Sequence, residues 1–459
     1  MQFKTSSFFN SIKFIVFISL PIIFIAGNFL VNITYTVLFF LAIYQIYKKK
    51  FLFITSNKKI YFFFLIFFLI IFFASIYNYV DIRTTLKGLF YSRFILSTIS
   101  IVFIIALVRE NQTFIGKNFY MYLMILFCLD IFLQYFTGFN ILNYRPGMCD
   151  APYYENCQRF AGLFDDELIA GTFVSIFSWL AVYFYLEDNK KPNVYLLNLL
   201  LLFFLITILI TGDRAPALNF VISIFIFNLL YNNLKKNIII LLVISTITVS
   251  TIVSIPHIQI RYVQIITILA KLYTPKNIFE KNIEHLETDN TDYESPNILY
   301  PDKVIVKNDS LFSYNFFLNN PWGAHYVTAI EMIKEKPIFG SGYKSFRIEC
   351  HKYNYLLNHE RFSNCSTHPH NFYFEIITDF GLIGLLVFLS IIFYVVFDFI
   401  KLFKKDGKNL HLIISFSLLV GFLFPLKPTG SILSTWTAGL FWILMAFYIY
   451  ESCRVKLHK

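Results

Sequence analysis

The stretch STHPHNFYFEIITDFGLIG, residues 366–384, places His368, His370, Asn371, Glu375 and Asp379 at the head of a long apolar run. A neutral imidazole is the natural group to take a proton from a hydroxyl near pH 7. Pro369 predicts a helix starting here, because its missing N–H is not needed in a first turn. It also pushes His368 toward extended backbone. His370 then falls in the first turn, where the positive end of the helix dipole disfavours imidazolium and leaves the ring able to accept a proton. Asn371, Glu375 and Asp379 follow at intervals of four and share one helix face. Two carboxylates so spaced repel each other, and ionisable groups inside a span face a water-filled cavity or a partner. The plainer reading makes both acids solvated residues of an interfacial turn. The residues alone leave these two readings level.

Three further stretches carry candidate chemistry. In LITGDRAPALNF (209–220), Arg214 stands in a tight turn between apolar runs. Its always-charged, bidentate guanidinium suits a phosphate clamp. The bland alternatives are a pair with Asp213 or a contact to lipid headgroups. QRFAGLFDDELIAGTF (158–173) offers Arg159, then Asp165, Asp166 and Glu167, which suit the first turn of a helix. HYVTAIEMIKEKPIFGSGYKSF (325–346) has Tyr326, Ile330 and Ile333 at helical spacing and ends in a Gly-rich stretch. One Gly-x-Gly with no strand before it is weak evidence for nucleotide binding, so it reads as a structural turn.

The elements that must position these residues are membrane helices. The chain is 57% hydrophobic and only 15% charged, with a mean hydropathy of +0.61, against the quarter or so of charged residues usual in soluble domains. Apolar runs predict helices near 13–27, 29–47, 60–77, 88–108, 119–136, 168–186, 195–211, 216–231, 238–255, 372–400, 410–425 and 432–450. The expectation is an all-α polytopic membrane protein of about twelve spans. Residues 1–255 would hold nine of them, with a smaller outer loop at 137–167. A large, mainly helical outer loop would fill 256–371, and 372–459 would hold the last three spans. Of 39 Lys and Arg, 20 fall in the termini and in alternate loops, which predicts both termini cytoplasmic. The net charge of +11 is then a topology signal and no argument for a nucleic-acid partner. Cys149, Cys157, Cys350 and Cys365 lie in the two outer loops, where disulfides persist, and pairing within each loop is the simplest connectivity. A metal site is the rival, but CDAPYYENC contains no His.

Taken together, the four stretches resemble the O-antigen ligase/polymerase family of bacterial envelope glycosyltransferases. GDRAP corresponds to the family's Arg-bearing turn and KPIFGSG to its Pro-x-x-Gly-x-Gly. HNFYFEIITDFGLIG corresponds to His-Asn-x-x-Leu followed by Glu-x-Gly-x-x-Gly, with Phe374 in place of Leu and Asp379 in place of Glu. RFAGLFDDELIAG is similar to its Arg-x-x-Gly entrance, with Asp-Glu where Pro-Asn is usual. The resemblance implies transfer of a glycan from an undecaprenyl-diphosphate carrier to an acceptor sugar, on the outer face of the inner membrane, without metal or cofactor. It makes His370 the general base, with His368 as the spare, and Glu375 an orienting or acceptor-holding group. Arg214 would clamp the diphosphate, with Asn371 and Asp379 lining the site. The family's amphipathic helix often begins with Arg, and here that place holds His325. A second phosphate-binding group would then be Arg261, Arg159 or a protonated His325. Lipid A–core as acceptor makes a ligase, and the growing lipid-linked chain makes a polymerase; twelve spans lean toward the ligase. The alternative of another class is a lipid-linked oligosaccharide flippase or other transporter. Such proteins tend to show related halves, and this sequence has no internal repeat.

Overall fold

The computed structural model describes residues 18–48, 56–78, 81–110, 114–148, 158–165, 167–186, 193–231, 234–256, 258–259, 262, 321–356, 363–407 and 409–457. Arg261, Cys149, Cys157, Asp166 and most of the expected large loop therefore lie outside the described residues.

The chain is an all-α polytopic membrane protein, with one two-residue antiparallel ribbon pairing Gly147 with Arg159. In order, the helices are α1 (18–25), α2 (Asn28–Tyr47), α3 (Lys58–Tyr77), α4 (Ile82–Leu89), α5 (Ser92–Glu110), α6 (Phe114–Thr137), α7 (Ala170–Tyr185) and α8 (Val194–Thr211). There follow α9 (Arg214–Leu230), α10 (Leu234–Ser254), α11 (Pro321–Glu335), the short α12 (Phe346–Glu349), α13 (Phe372–Lys405), α14 (Leu410–Leu423) and α15 (Thr435–Leu457). Among the described residues eight segments are long and apolar enough to cross a membrane, and α7, α9 and α14 are shorter apolar helices.

The core runs the length of the bundle, and α15 lies at its centre, packed against α2, α5, α13 and α14. Its aromatic and aliphatic residues are apolar on all sides, and they are buried on all sides, from Trp436 to Tyr450. At its far end charges are matched. Glu451 is fully buried and takes the Arg109 guanidinium and the Tyr183 hydroxyl on one oxygen. Its other oxygen lies 3.1 Å from Arg454 Nε. Asp398 is held by Lys456 at 2.8 Å and by Ser452 Oγ at 2.6 Å.

Two expectations need correction. Pro369 and His370, expected in the first turn of the helix, lie before it: the helix starts at Phe372, where the apolar run placed it, with Asn371 as its cap, and Asn371 Oδ1 accepts from Tyr373 N at 3.0 Å and Phe374 N at 3.3 Å. The second concerns the acids before α7. Asp165 and Glu167 fall in the turn that precedes the helix, and its first turn holds no acid.

Candidate active site

A break in α13 builds the site. Gly381, at φ 66° and ψ −168°, interrupts the helix between Phe372–Phe380 and the long apolar remainder. That backbone region is open essentially to glycine alone. The KPIFGSG turn fills the break: Ser341 N donates to Thr378 O at 2.9 Å, Gly342 N to Asp379 O at 2.8 Å, and Leu382 N to Pro337 O at 2.8 Å. The contact is too close for side chains. A Cβ on Gly340 would sit 2.5 Å from the Asp379 carbonyl, and one on Gly381 would sit 2.1 Å from Ile338 O. The two glycine motifs, forty residues apart, are therefore two halves of one joint, and irregular backbone at this depth keeps its hydrogen bonds.

The carboxylates serve this joint. Asp379 accepts from Lys344 N at 2.7 Å and from Ser345 Oγ at 2.9 Å. Glu375 accepts from Ser431 Oγ and, at 2.8 Å, from Ile432 N. Asn371 donates to Pro425 O at 2.8 Å and Lys427 O at 3.3 Å. These three expected site residues are brought together on one helix face, but their polar atoms are turned to the 337–345 turn and the 424–434 loop. None of the three bonds a histidine among the described residues.

The histidines gather just outside that scaffold. His370 adopts a left-handed φ of 55° and is anchored by Thr429 N to its carbonyl at 2.8 Å. Its ring lies 4.2 Å from that of His368, 5.1 Å from His325 (stacked) and 4.7 Å from Trp322. Both nitrogens of His368 are engaged: Nε2 at 3.0 Å from Thr429 O, and Nδ1 at 2.9 Å from Thr367 Oγ1. A carbonyl can only accept, so Nε2 carries the hydrogen and Nδ1 accepts from the hydroxyl. His325 bonds the carbonyls of Ser363 and Cys365, while its Nδ1 is buried without a partner. In His370, Nε2 lies 2.9 Å from Ser366 Oγ, and the ring also bonds the Thr429 backbone carbonyl. Burial holds all three rings neutral. It pushes His370 down to about 3, with His368 and His325 adding to the effect. His368 falls to about 4, helped by the Arg347 charge, and His325 is also lowered.

The disulfide Cys350–Cys365 closes the wall behind them. It belongs to a small second core of Ala329, Met332, Phe346 and Tyr353, which joins α11 and α12 to Phe374 of α13. Cys128 and Cys453 are free and buried.

Arg214 and Arg159 belong to a neighbouring wall. Arg159 is ion-paired with Asp213, whose other oxygen accepts from Gly171 N at 2.9 Å. The bland reading in which Arg214 pairs with Asp213 is thus not what forms: Asp213 takes Arg159 instead. Arg214, half-buried at the head of α9, makes no hydrogen bond or ion pair with another described residue. Asn219, about 7.5 Å further along that helix, accepts from Lys427 Nζ. Lys427 belongs to the same loop that carries Asn371 and the His370 carbonyl. It is buried, donates also to Phe422 O at 2.8 Å, and has its ammonium pulled well below the usual lysine range by that burial. Lys427 is therefore the strap between the Arg214 helix and the histidine mouth.

Four contributors were not singled out from sequence as site residues: the 424–434 loop, Ser366, Lys344 and Arg347. The legible signal was Lys427, a cation in a short loop read as lying outside, where the basic-residue rule predicts few; Lys344 and Arg347 fall in the long loop, which that rule does not cover. Residues 199–389 match the family model described as O-Antigen ligase, a span that contains Arg214, all three histidines and both glycine motifs. No curated protein matches the chain.

Proposed function

We propose, from the match of residues 199–389 to the O-Antigen ligase family model, that the chain transfers an undecaprenyl-diphosphate-linked glycan to a sugar hydroxyl on lipid A–core. The reaction is placed at the periplasmic face of the inner membrane, with both termini cytoplasmic. The single observation that carries the reading is a His370 held neutral by burial within a cluster of three histidines, in a mouth strapped through Lys427 to the helix that begins with Arg214.

In the proposed step, the Thr429 carbonyl accepts the ring N–H of His370 and so fixes the tautomer that keeps a lone pair on the other ring nitrogen. The acceptor hydroxyl gives its proton to that lone pair as its oxygen bonds the anomeric carbon of the donor. The bond from that carbon to the diphosphate oxygen breaks, and the carrier diphosphate leaves with the electron pair. Arg214 stabilises the charge that grows on it. Burial alone makes His370 a weak base. The anionic donor, arriving close to the ring, raises its affinity for a proton. Charge stabilisation is assigned to Arg214 in place of a metal ion.

Purified protein incubated with lipid-linked oligosaccharide and either lipid A–core or further carrier-linked repeats tests this reading. Glycan appearing on lipid A–core is the expected result. Chain extension on the carrier alone would make the protein a polymerase, and no glycan on either acceptor would overturn the proposed reaction.

A further inference from the structure

Lys344 and Arg347 stand three residues apart beside the histidines, on the turn that docks into the α13 break. Each is half-buried, and neither has a carboxylate within ion-pair distance among the described residues. The acids around them are already occupied. Glu349 is taken by Lys336 at 3.5 Å and Lys352 at 3.6 Å. Glu375 and Asp379 accept from the hydroxyls and amides of the scaffold. Arg347 donates one N–H to Thr367 O at 3.2 Å, and its Nε is buried with no partner. The Lys344 ammonium makes no hydrogen bond with a described residue. Its charge is opposed by Arg347 and by Lys87 on α4, is partly offset at longer range by the buried Glu375 and Asp379, and is felt by His368.

Two like charges held together and partly out of water are costly unless an anion completes them. We propose that Lys344 and Arg347 form a phosphate-binding subsite beside His368 and His370, separate from Arg214. A phosphate fits better than a carboxylate. It carries up to two negative charges for the two cations, and three free oxygens for an ammonium with three donors and a guanidinium with several left over. The subsite stands on the cation pair; its use in glycan transfer rests on the proposed function. Within that function, the phosphate belongs either to the carrier diphosphate or to a phosphorylated sugar of the acceptor.

Full-length protein in nanodiscs of uncharged lipid, labelled with phenylglyoxal and mapped by peptide mass, gives the direct test. Inorganic phosphate is expected to slow labelling of Arg347 at least roughly tenfold, on the scale of one charge-assisted contact. Lys344→Asn should abolish that protection. Asparagine tolerates the left-handed φ of 56° at this position, so the variant removes the charge and keeps the turn. In the transfer assay, Arg347→Gln should raise one KM about tenfold or more and leave kcat nearly unchanged, with Arg347→Lys partly restoring it. A rise confined to a phosphorylated acceptor assigns the phosphate to the acceptor, and a rise in the donor KM assigns it to the carrier. Arg347 labelling that ignores phosphate, with both KM values unmoved, would overturn the subsite. Protection that appears only with anionic lipid would overturn it in favour of a headgroup contact. Phosphate protection in a protein that transfers no glycan would leave the subsite standing and remove the proposed function.

Discussion

The two ends of this bundle treat buried charge in opposite ways. Away from the histidines, Glu451 sits between Arg109 and Arg454, and Asp398 faces Lys456. About 24 Å up the same helix, sixteen residues at 1.5 Å each, the mouth holds Arg214, Lys344, Arg347 and Lys427. None of these has a carboxylate within ion-pair distance among the described residues. The acids nearby, Glu375 and Asp379, are bound to neutral hydroxyls and amides instead. Matched charge fastens helices to each other. Unmatched charge at a mouth is completed by something that arrives.

That contrast can be broken at either end. Glu451→Ala leaves Arg109 uncompensated in the core and should cost about 3–5 kcal/mol of stability, read as a large drop in the apparent Tm of the solubilised protein. The fraction that remains folded should transfer glycan at the wild-type rate. A slow but stable Glu451→Ala protein would mean that the far end takes part in the reaction. Arg214→Lys should do the reverse. Its Tm should hold, while transfer falls about 10²-fold, the scale of losing one charge-stabilising donor, because an ammonium cannot reproduce the guanidinium fork. An unchanged rate would return Arg214 to a structural or headgroup role.

Much of the far end and little of the mouth was legible in the sequence. Apolar runs gave the helices closely: 195–211 was expected where Val194–Thr211 forms, and 119–136 where Phe114–Thr137 forms. Hydrophobic length is a local property, so it survives without a fold. His370, Glu375 and Asp379 were found because they interrupt such a run. Their roles were not readable, because Glu375 is decided by Ser431 and Asp379 by Ser345, residues far away in sequence. The spacing of four correctly placed both acids on one face, yet it could not reveal that Gly381 breaks the helix two residues beyond Asp379. The pairing Cys350–Cys365 was expected and is present. That Asp213 takes Arg159 and not Arg214 depended on where two distant turns meet.

Acid sharpens the comparison more gently. Folded His370 and His368 are held at about 3 and about 4, below the value near 6.5 in an unfolded chain. As pH falls below about 6.5 the unfolded mouth binds protons that the folded one refuses, so its stability drains away toward pH 4. Limited proteolysis of residues 363–371 should therefore quicken progressively between those values. A rate that stays flat from pH 7 to 4 would show that the rings are not held neutral by burial. The smallest effect belongs to a matched pair in water. Lys334 meets Glu331 at 2.7 Å, but its side chain is 64% exposed, so Lys334→Ala should change stability by less than about 1 kcal/mol. It should leave transfer alone, and a larger shift would mean that α11 is gripped by something beyond its apolar face.

The most direct test removes the imidazole at the centre of the histidine cluster. His370→Ala, purified with its Cys350–Cys365 bridge intact and assayed with lipid-linked oligosaccharide and lipid A–core, should lose transfer by about 10²–10⁴-fold, the usual scale for a general base. The donor KM should remain near wild type. A His370→Ala protein that transfers glycan at close to the wild-type rate would contradict the account at its centre.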